Sequence, residues 1–147
     1  MITIHKVTQA DLQDLRKLYL QLTGTLPAAD QIEKAFARLD KREDVFLAGA
    51  YDDSGHLIAS SQLTRCPDLT DDTRCYYSME NFVVDDQMRG KGIGTLLLNY
   101  LEQYVIDHDG RYINFTSSSS RTQAHHFYQK NGYPVDVVKG FKKEFPS

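Results

Sequence analysis

The stretch Arg89-Gly90-Lys91-Gly92-Ile93-Gly94-Thr95 is the most informative part of this sequence. It lies between a predicted strand, Tyr76–Asp85, and a predicted helix whose apolar residues recur at helical spacing. The first turn of a helix leaves backbone N–H groups without partners and carries the positive end of the helix dipole. Glycines let an anion approach the backbone closely, and Arg89 and Lys91 add positive charge. The sequence therefore predicts a turn that binds a diphosphate.

This glycine-rich turn has three other possible interpretations, of which the sequence pattern excludes two. A nucleotide P-loop needs the pattern Gly-x-x-x-x-Gly-Lys-[Ser/Thr], which does not occur in the chain. A dinucleotide-binding fingerprint needs Gly-x-Gly-x-x-Gly, and its third glycine falls on Thr95. A tight turn whose glycines serve only the backbone geometry stays open as the alternative without a ligand.

Outward from this turn, the hydrophobic pattern predicts strands and helices along the whole chain. Thr8 and Asp11 resemble a capping box, Gly24 ends the first helix and a second begins near Pro27. The apolar sides of the three long helices are predicted at Leu12, Leu15, Leu18, Tyr19 and Leu22, at Ile32, Ala35, Phe36 and Leu39, and at Ile93, Leu96, Leu97, Leu101, Tyr104 and Val105. The predicted strands are Ile2–Val7, Val45–Tyr51, Leu57–Cys66, Tyr76–Asp85, Arg111–Thr116 and one or two within Tyr133–Phe145.

The end of the chain carries a last predicted helix. Ser117–Ser120 offer hydroxyls to cap it, and Asn131-Gly132 end it in a left-handed cap. The element order is β-α-α-β-β-β-α-β-α-β, which is an α/β (α+β) pattern that mixes antiparallel hairpins with a helical crossover.

Length, charge and cysteine content set limits on the class of protein. The 147 residues suit one domain, 1–147, and 17 basic against 20 acidic residues give a net charge of −3. That balance gives no case for nucleic acid or an anionic membrane as a partner. Without a signal sequence, we expect a cytoplasmic protein in which Cys66 and Cys75 are free thiols, the alternative being a disulfide across the hairpin loop that they bracket. No spacing typical of metal ligands is present, and we expect no bound metal ion.

Three motifs in one order resemble the GNAT superfamily of N-acetyltransferases. Arg89-x-x-Gly92-x-Gly94 matches the family's [Gln/Arg]-x-x-Gly-x-[Gly/Ala] motif, and the preceding Met79–Asp85 resembles its fourth strand. Phe127-Tyr128-x-x-x-Gly132-Tyr133 resembles its Phe-Tyr-x-x-x-Gly-[Phe/Tyr] signature. The resemblance covers the whole chain and implies a mixed, mostly antiparallel sheet of six or seven strands flanked by about four helices.

The resemblance implies acetyl-CoA as co-substrate. The turn then binds its pyrophosphate through backbone amides, and the pantetheine arm pairs with the backbone of the fourth strand like an added strand. Many relatives carry an asparagine near the start of the last helix, where this chain has Arg121, so that contact is either lost or replaced by Ser118–Ser120. The residues implied to contact acetyl-CoA are Phe82, Val83, Val84, Arg89, Gly90, Lys91, Gly92, Ile93, Gly94, Thr95, Arg121, Ala124 and Phe127.

Two residues are candidates for the chemistry. Tyr128 matches the family tyrosine that protonates the leaving CoA sulfur, and the alternative is a tyrosine of the core. Glu80 is a carboxylate in an otherwise apolar strand, where burial is expected to raise its pKa and make it a base. The alternatives are a glutamate on the open face of the strand or one paired with an arginine such as Arg74. A second base at His125 or His126 competes with two solvated histidines.

The acceptor is expected to be the primary amine of a small molecule. Asp68, Asp71 and Asp72 lie in the loop before the fourth strand and would suit a cationic amine, unless they are simply solvated. A peptide or protein acetyltransferase and a non-catalytic acyl-CoA-binding regulatory module are the alternative functions. The resemblance also allows a homodimer, for which the sequence shows no interface.

Overall fold

A computed structural model describes all residues from Met1 to Ser147, which form two compact units, Met1–Asn114 and Phe115–Ser147. The expectation of one domain over 1–147 stays a prediction. The first unit holds strands β1 to β5 at Thr3–Lys6, Val45–Tyr51, Leu57–Cys66, Tyr76–Val84 and Ile113–Asn114. It also holds helices α1 to α3 at Leu12–Thr23, Ala29–Asp40 and Ile93–Asp107, with short 3₁₀ turns at Gln9–Asp11 and Asp86–Met88. The second unit holds α4 at Thr122–Lys130.

The sheet has five strands in the order β1-β2-β3-β4-β5. The first four are antiparallel neighbours, and β5 runs parallel to β4 after the crossover through α3. The mixed, mostly antiparallel α/β class is therefore as predicted, whereas the expected six or seven strands are not all present. The predicted strand Arg111–Thr116 is reduced to Ile113–Asn114.

The residues after α4 form none of the predicted closing strands. Pro134 has no N–H to donate to a ladder, and Asp136 has a positive φ of 63° that interrupts an extended chain. The apolar side chains of this segment are exposed, namely Val135, Val137, Val138, Phe141 and Phe145. The apolar residues of this segment therefore do not form a strand.

Strand register assigns the side chains of the sheet to its two faces. Leu47 pairs with Gln62, and Gln62 pairs with Glu80, so these three side chains share one face. Helices α1 and α2 pack on that face around a cluster of Val7, Leu12, Leu15, Leu18, Phe36, Leu47, Tyr51, Leu57 and Val83. On the opposite face, Phe46 stacks on Tyr104 of α3 with ring centroids 4.3 Å apart.

The helix starts and ends largely follow the predicted signals. Thr8 N–H donates to Asp11 Oδ2 at 2.8 Å, which confirms the capping box, and Gly24 ends α1 with a left-handed φ of 80°. Two predicted core positions are wrong, because Ala35 and Leu96 are exposed. At about 100° per residue the buried positions of α3 span an arc of about 140°, and Leu96 lies about 60° outside it. Leu98 lies within that arc and is fully buried.

The two cysteines are free. Cys66 pairs with Tyr76 in the ladder between β3 and β4. Cys75 is one residue away from that pair, and side chains of successive strand residues point to opposite faces. The expected free thiols therefore agree with the register of the hairpin.

A β-bulge in β4 changes the alternation of side chains beside Glu80. Ser60 pairs with Val83 and Gln62 with Glu80, so β4 has one extra residue in this interval. Asn81 takes the left-handed conformation with φ 54°, and the buried Ser61 hydroxyl donates to the Glu80 carbonyl at 3.0 Å. As a result Glu80 and Val83, three residues apart, lie on the same face of the sheet.

The bulge predicts a specific response to substitution at Asn81. Asn81→Val places a β-branched residue at a left-handed φ and should cost about 1–2 kcal/mol of unfolding free energy relative to Asn81→Gly. Urea denaturation of the two variants, with wild type as reference, measures the difference. Equal stability of the valine and glycine variants would contradict the bulge.

Candidate active site

The glycine-rich turn leads from β4 into α3 and presents free backbone donors. No N–H group from Arg89 to Thr95 donates a hydrogen bond within the chain. Gly90 and Gly92 have φ of 77° and 79°, and a Cβ at either position would meet no atom within 4 Å. The turn is therefore an open surface of N–H groups at the positive end of a fifteen-residue helix.

Of the two side chains expected to add positive charge at this turn, only one is without an acidic partner. Arg89 Nη2 pairs with Asp86 Oδ1 at 2.8 Å, so its charge is already partly balanced. Lys91 has no carboxylate partner, and its Nζ lies 3.9 Å from Met88 Sδ. Lys91 is thus the cation of the turn that remains available to an anion.

The edge of β4 opens close to the turn. β5 pairs with β4 only at Tyr77 and Ser78. On the other side, β3 continues along β4 as far as Val84. From Ser78 to the glycine-rich turn the sheet therefore has no further strand beyond β4, which leaves a strand edge next to the free N–H groups of α3.

Gln21 on α1 clamps Asp85 and Asp86, the residues just before the glycine-rich turn, and no sequence pattern indicated this contact. Its side-chain oxygen accepts from Asp86 N–H at 2.9 Å, and its Nε2 donates to Asp85 Oδ1 at 3.4 Å. Asp85 Oδ1 in turn accepts from Gln87 N–H at 3.1 Å. These partners are more than sixty positions from Gln21 in sequence, so no local motif could reveal the contact.

Glu80 lies at the surface, so the expected burial of this carboxylate is wrong. The bulge keeps it on the sheet face that α1 and α2 cover, beyond the edge of the core. Its Oε1 accepts from Ser78 Oγ at 3.4 Å, and Arg74 pairs with Asp72 and Asp109 instead. Of the two alternatives, the structure supports a solvent-accessible glutamate rather than one paired with Arg74.

Two of the three acidic residues in the loop before β4 pair with arginines, one from the loop and one from the segment after α3. Asp71 pairs with Arg111 at 2.8 Å and Asp72 with Arg74 at 2.7 Å. Asp68 accepts hydrogen bonds from the backbone and hydroxyl of Thr70, which hold the pKa of its carboxyl below its usual range. Pairing of Asp71 and Asp72 weakens the expected attraction of this loop for a cationic amine, which stays a prediction.

A groove lies between α2 and strands β2 and β3, on the sheet face that carries Glu80. It has a volume of about 260 Å³, and its polar side chains are Arg38, Arg42, Gln62 and Thr64. A larger depression of about 470 Å³ lies on the other side of α2, where Lys6 pairs with Asp40. Neither includes a residue of β4 or the glycine-rich turn, but the smaller groove includes Gln62, which pairs with Glu80 in the ladder, and is therefore the better candidate for the acceptor.

In the second unit, Tyr128 is 6% exposed within a group of aromatic rings. Its ring centroid lies 4.5 Å from that of Phe115 and 5.3 Å from that of Phe127. Burial raises the pKa of the Tyr128 phenol, and the nearby Arg121 guanidinium partly opposes this rise. The phenol is therefore protonated throughout the neutral range.

The end of α4 explains the Phe-Tyr-x-x-x-Gly-Tyr pattern in backbone terms. Tyr133 N–H donates to the Tyr128 carbonyl at 3.0 Å, and Gly132 N–H donates to the Gln129 carbonyl at 3.1 Å. Gly132 has a φ of 92°, which confirms the left-handed cap. These two bonds form a Schellman motif, with the rings of Tyr128 and Tyr133 in edge contact at 6.5 Å.

The start of α4 differs from the expected capping. Arg121 is the N-cap residue, and no serine side chain caps the helix. The hydroxyls of Ser118 and Ser120 lie 3.0 Å apart, while the Ser118 carbonyl is within 2.9 Å of His125 Nε2. Of the other residues implied to bind acetyl-CoA here, Ala124 and Phe127 are half-buried on α4. His125 thus has a structural partner, and His126 is exposed.

The fold and these elements define the class of protein. The chain matches the model of the acetyltransferase (GNAT) family over residues 10–133, and it belongs to that family. No curated protein shows significant sequence similarity to it. No helix is long and apolar enough to cross a membrane. No group of three or more His, Cys, Asp or Glu side chains is arranged to hold a metal ion.

Solved structures share the fold at low sequence identity. A transcriptional regulator from Bacillus halodurans C-125 superposes with a TM-score of 0.91 at 22% identity, covering 99% of this chain and 100% of its own. Glucosamine-6-phosphate N-acetyltransferase from Arabidopsis thaliana gives 0.84 at 19%, covering 97% and 98%. An aminoglycoside 6′-N-acetyltransferase from Acinetobacter baumannii gives 0.79 at 19%, covering 99% and 100%. At these identities the likeness establishes the fold and not the acceptor.

The clamp by Gln21 predicts an effect on ligand affinity at the glycine-rich turn. Gln21→Ala should weaken binding of acetyl-CoA about 3- to 10-fold, because two hydrogen bonds that hold the turn are lost. Titration calorimetry measures the dissociation constant, with Lys17→Ala, an exposed change on the same helix, as the control. Unchanged affinity in Gln21→Ala would show that the turn keeps its conformation without the clamp.

Proposed function

We propose that this protein is an acetyl-CoA-dependent N-acetyltransferase that acetylates a primary amine of a small molecule. The observation that carries the proposal is the run of free N–H groups from Arg89 to Thr95 at the start of α3. An anion bound there satisfies donors that the helix cannot satisfy itself and interacts with the positive end of its dipole. Family membership makes the pyrophosphate of acetyl-CoA the expected anion.

Three features of the first unit fit this co-substrate. The open space over Gly90 and Gly92 admits a diphosphate close to the backbone, and Lys91 offers an unpaired cation. The free edge of β4 before the turn can receive the amide groups of the pantetheine arm as an added strand. We therefore assign coenzyme binding to Phe82–Val84 and Arg89–Thr95 in this unit. Arg121, Ala124 and Phe127 stay proposed contacts in the second unit.

The proposed reaction joins the amine to the acetyl group of a thioester. The nitrogen lone pair attacks the carbonyl carbon, a C–N bond forms and the C–S bond breaks. The amine must first lose the proton it carries at neutral pH, since an alkylammonium has a pKa near 10.4. The attacking nitrogen then loses a second proton and the leaving thiolate takes up one, so the products are an amide and free CoA.

Glu80 is the proposed base, acting directly or through water. Its carboxylate lies at the surface on the face that carries the groove, where a solvated ammonium can reach it. The exposed carboxylate attracts the cationic amine and accepts its proton.

Tyr128 is the proposed acid that protonates the leaving sulfur. Two properties support this role, namely its place in the family motif and a phenol pKa that burial raises. A phenol of raised pKa is protonated at the pH of the reaction and can donate to a thiolate.

The alternative functions make different demands on the acceptor site. A peptide or protein acetyltransferase needs a cleft for an extended chain, and a groove of about 260 Å³ favours a small acceptor instead. A non-catalytic acyl-CoA-binding module needs neither an accessible carboxylate on β4 nor a protonated phenol. It would bind the coenzyme without turnover.

Thermal unfolding with and without acetyl-CoA tests the coenzyme, with NADH and ATP as controls. At about 100-fold over its dissociation constant a ligand adds about 2.7 kcal/mol, which raises Tm by roughly 5 to 10 °C. Gly92→Glu should abolish the rise, because it introduces negative charge at the pyrophosphate. Gly92→Gln carries the same strain at a left-handed φ without that charge and should keep part of the rise. A rise with NADH or ATP instead of acetyl-CoA would sink the proposal.

Tyr128→Phe tests catalysis separately from binding. The variant should lose about 10²- to 10⁴-fold in kcat, as expected for a general acid, while the dissociation constant of acetyl-CoA changes little. Since the Tyr128 pKa is raised, the phenol stays protonated up to at least pH about 10, the ordinary phenol pKa. Deprotonation of Tyr128 should therefore lower wild-type kcat only above that pH. Stopped assays of thiol release between pH 7 and 11 measure both effects. An unchanged kcat in Tyr128→Phe would remove the acid role.

A further inference from the structure

The groove beside Glu80 is lined by two arginines, Arg38 and Arg42, and only Arg42 has an acidic partner. Arg42 donates two hydrogen bonds to Asp44, at 2.9 and 2.7 Å, and is fully paired. Arg38 has no ion pair and no side-chain hydrogen bond, although it lines the same groove. The groove therefore has a net positive charge that is free to act on a ligand.

The remaining polar groups of the groove are also suited to an oxyanion. Gln62 and Thr64 lie on the same face of β3, and their side chains make only one long contact with each other, at 3.5 Å. An amide NH₂ and a hydroxyl next to a guanidinium give several donors that converge on one space. Carboxylates and phosphates are the groups that an arginine recognises best in such a setting.

Strand register relates this positive groove to Glu80. Gln62 lies directly opposite Glu80 in the ladder between β3 and β4, and adjacent strands are about 4.8 Å apart. The groove thus presents cationic donors at one end and a carboxylate a short distance beyond. A small ligand that satisfies both ends carries an anionic group and a protonated amine.

We propose that the acceptor is a small primary amine that carries a carboxylate or phosphate, held by Arg38 with its amine at Glu80. The inference rests on the proposed function and adds the class of acceptor. It replaces the expected cationic acceptor, since Asp71 and Asp72 are already paired with Arg111 and Arg74.

The experiment compares matched amines with wild-type protein at saturating acetyl-CoA. The acceptors are classed by the group they carry besides the ammonium. β-Alanine and 2-aminoethyl phosphate carry an anionic group, propylamine and ethanolamine carry no second charge and are called neutral, and 1,3-diaminopropane carries a second cation. We expect kcat/KM for at least one anionic amine to exceed that of every neutral and cationic amine by about tenfold or more. The two anionic arms decide between carboxylate and phosphate.

Variants on α2 test the role of Arg38. In Arg38→Ala the preference for the anionic over the neutral amine should fall to near one, mainly through KM. Arg38→Lys should keep part of it because the charge remains. Lys34→Ala removes one positive charge from the same helix outside the groove and should keep the full preference. The melting temperature of each variant shows that it is folded.

Direct binding makes the outcome independent of turnover. Calorimetry with 2-aminoethyl phosphate and β-alanine should give binding to wild type and a loss of about tenfold or more in affinity with Arg38→Ala. The inference is overturned if wild type prefers a neutral or cationic amine, if Arg38→Ala keeps the anionic preference, or if neither anionic amine binds or reacts. A wild-type protein that does not bind acetyl-CoA at all would instead contradict the proposed function.

Discussion

The N–H groups at the start of α3 impose the constraint on which the rest of the site depends. A helix of this length must begin with donors that its own carbonyls cannot satisfy, and the turn leaves them open to solvent. The left-handed glycines before the helix keep side chains away from those donors. Strand β4 delivers the chain to this point, and its separation from β5 leaves a second set of backbone groups nearby. Main-chain chemistry thus prepares this part of the protein for a large anionic ligand.

A second level of organisation lies in how β4 is held. The bulge at Asn81 and the hydroxyl of Ser61 determine which face Glu80 occupies, while Gln21 fixes the residues that follow the strand. Side chains from three different elements therefore position one strand and its turn. The proposed acceptor groove lies on the same face, which is why we propose that the charges of Arg38 and Glu80 act on one ligand.

The sequence predicted the elements whose signals are local. Strands β2 and β3 have the predicted bounds, because a turn at Asp52–Gly55 and alternating apolar residues define a hairpin without help from distant contacts. The glycine-rich turn, the capping box at Thr8 and the left-handed Gly132 were predictable for the same reason. The exposure of Glu80 was not, since it follows from one extra residue in a ladder, and periodicity assumes that the ladder is regular. The pairing of Asp71 with Arg111 and the contact of Gln21 with Asp86 join residues far apart in sequence, so only the fold reveals them.

The cap at the end of α4 links the residues of the family signature through backbone hydrogen bonds. The residue proposed as proton donor also accepts, through its backbone carbonyl, the bond that terminates its helix. The backbone of Tyr128 is thus tied to the chain reversal at Gly132, and its ring contacts that of Tyr133 just beyond the reversal. A substitution at that glycine therefore disturbs the backbone of the residue proposed as proton donor, four positions away, so a loss of activity in such a variant is not by itself evidence of a chemical role for the glycine.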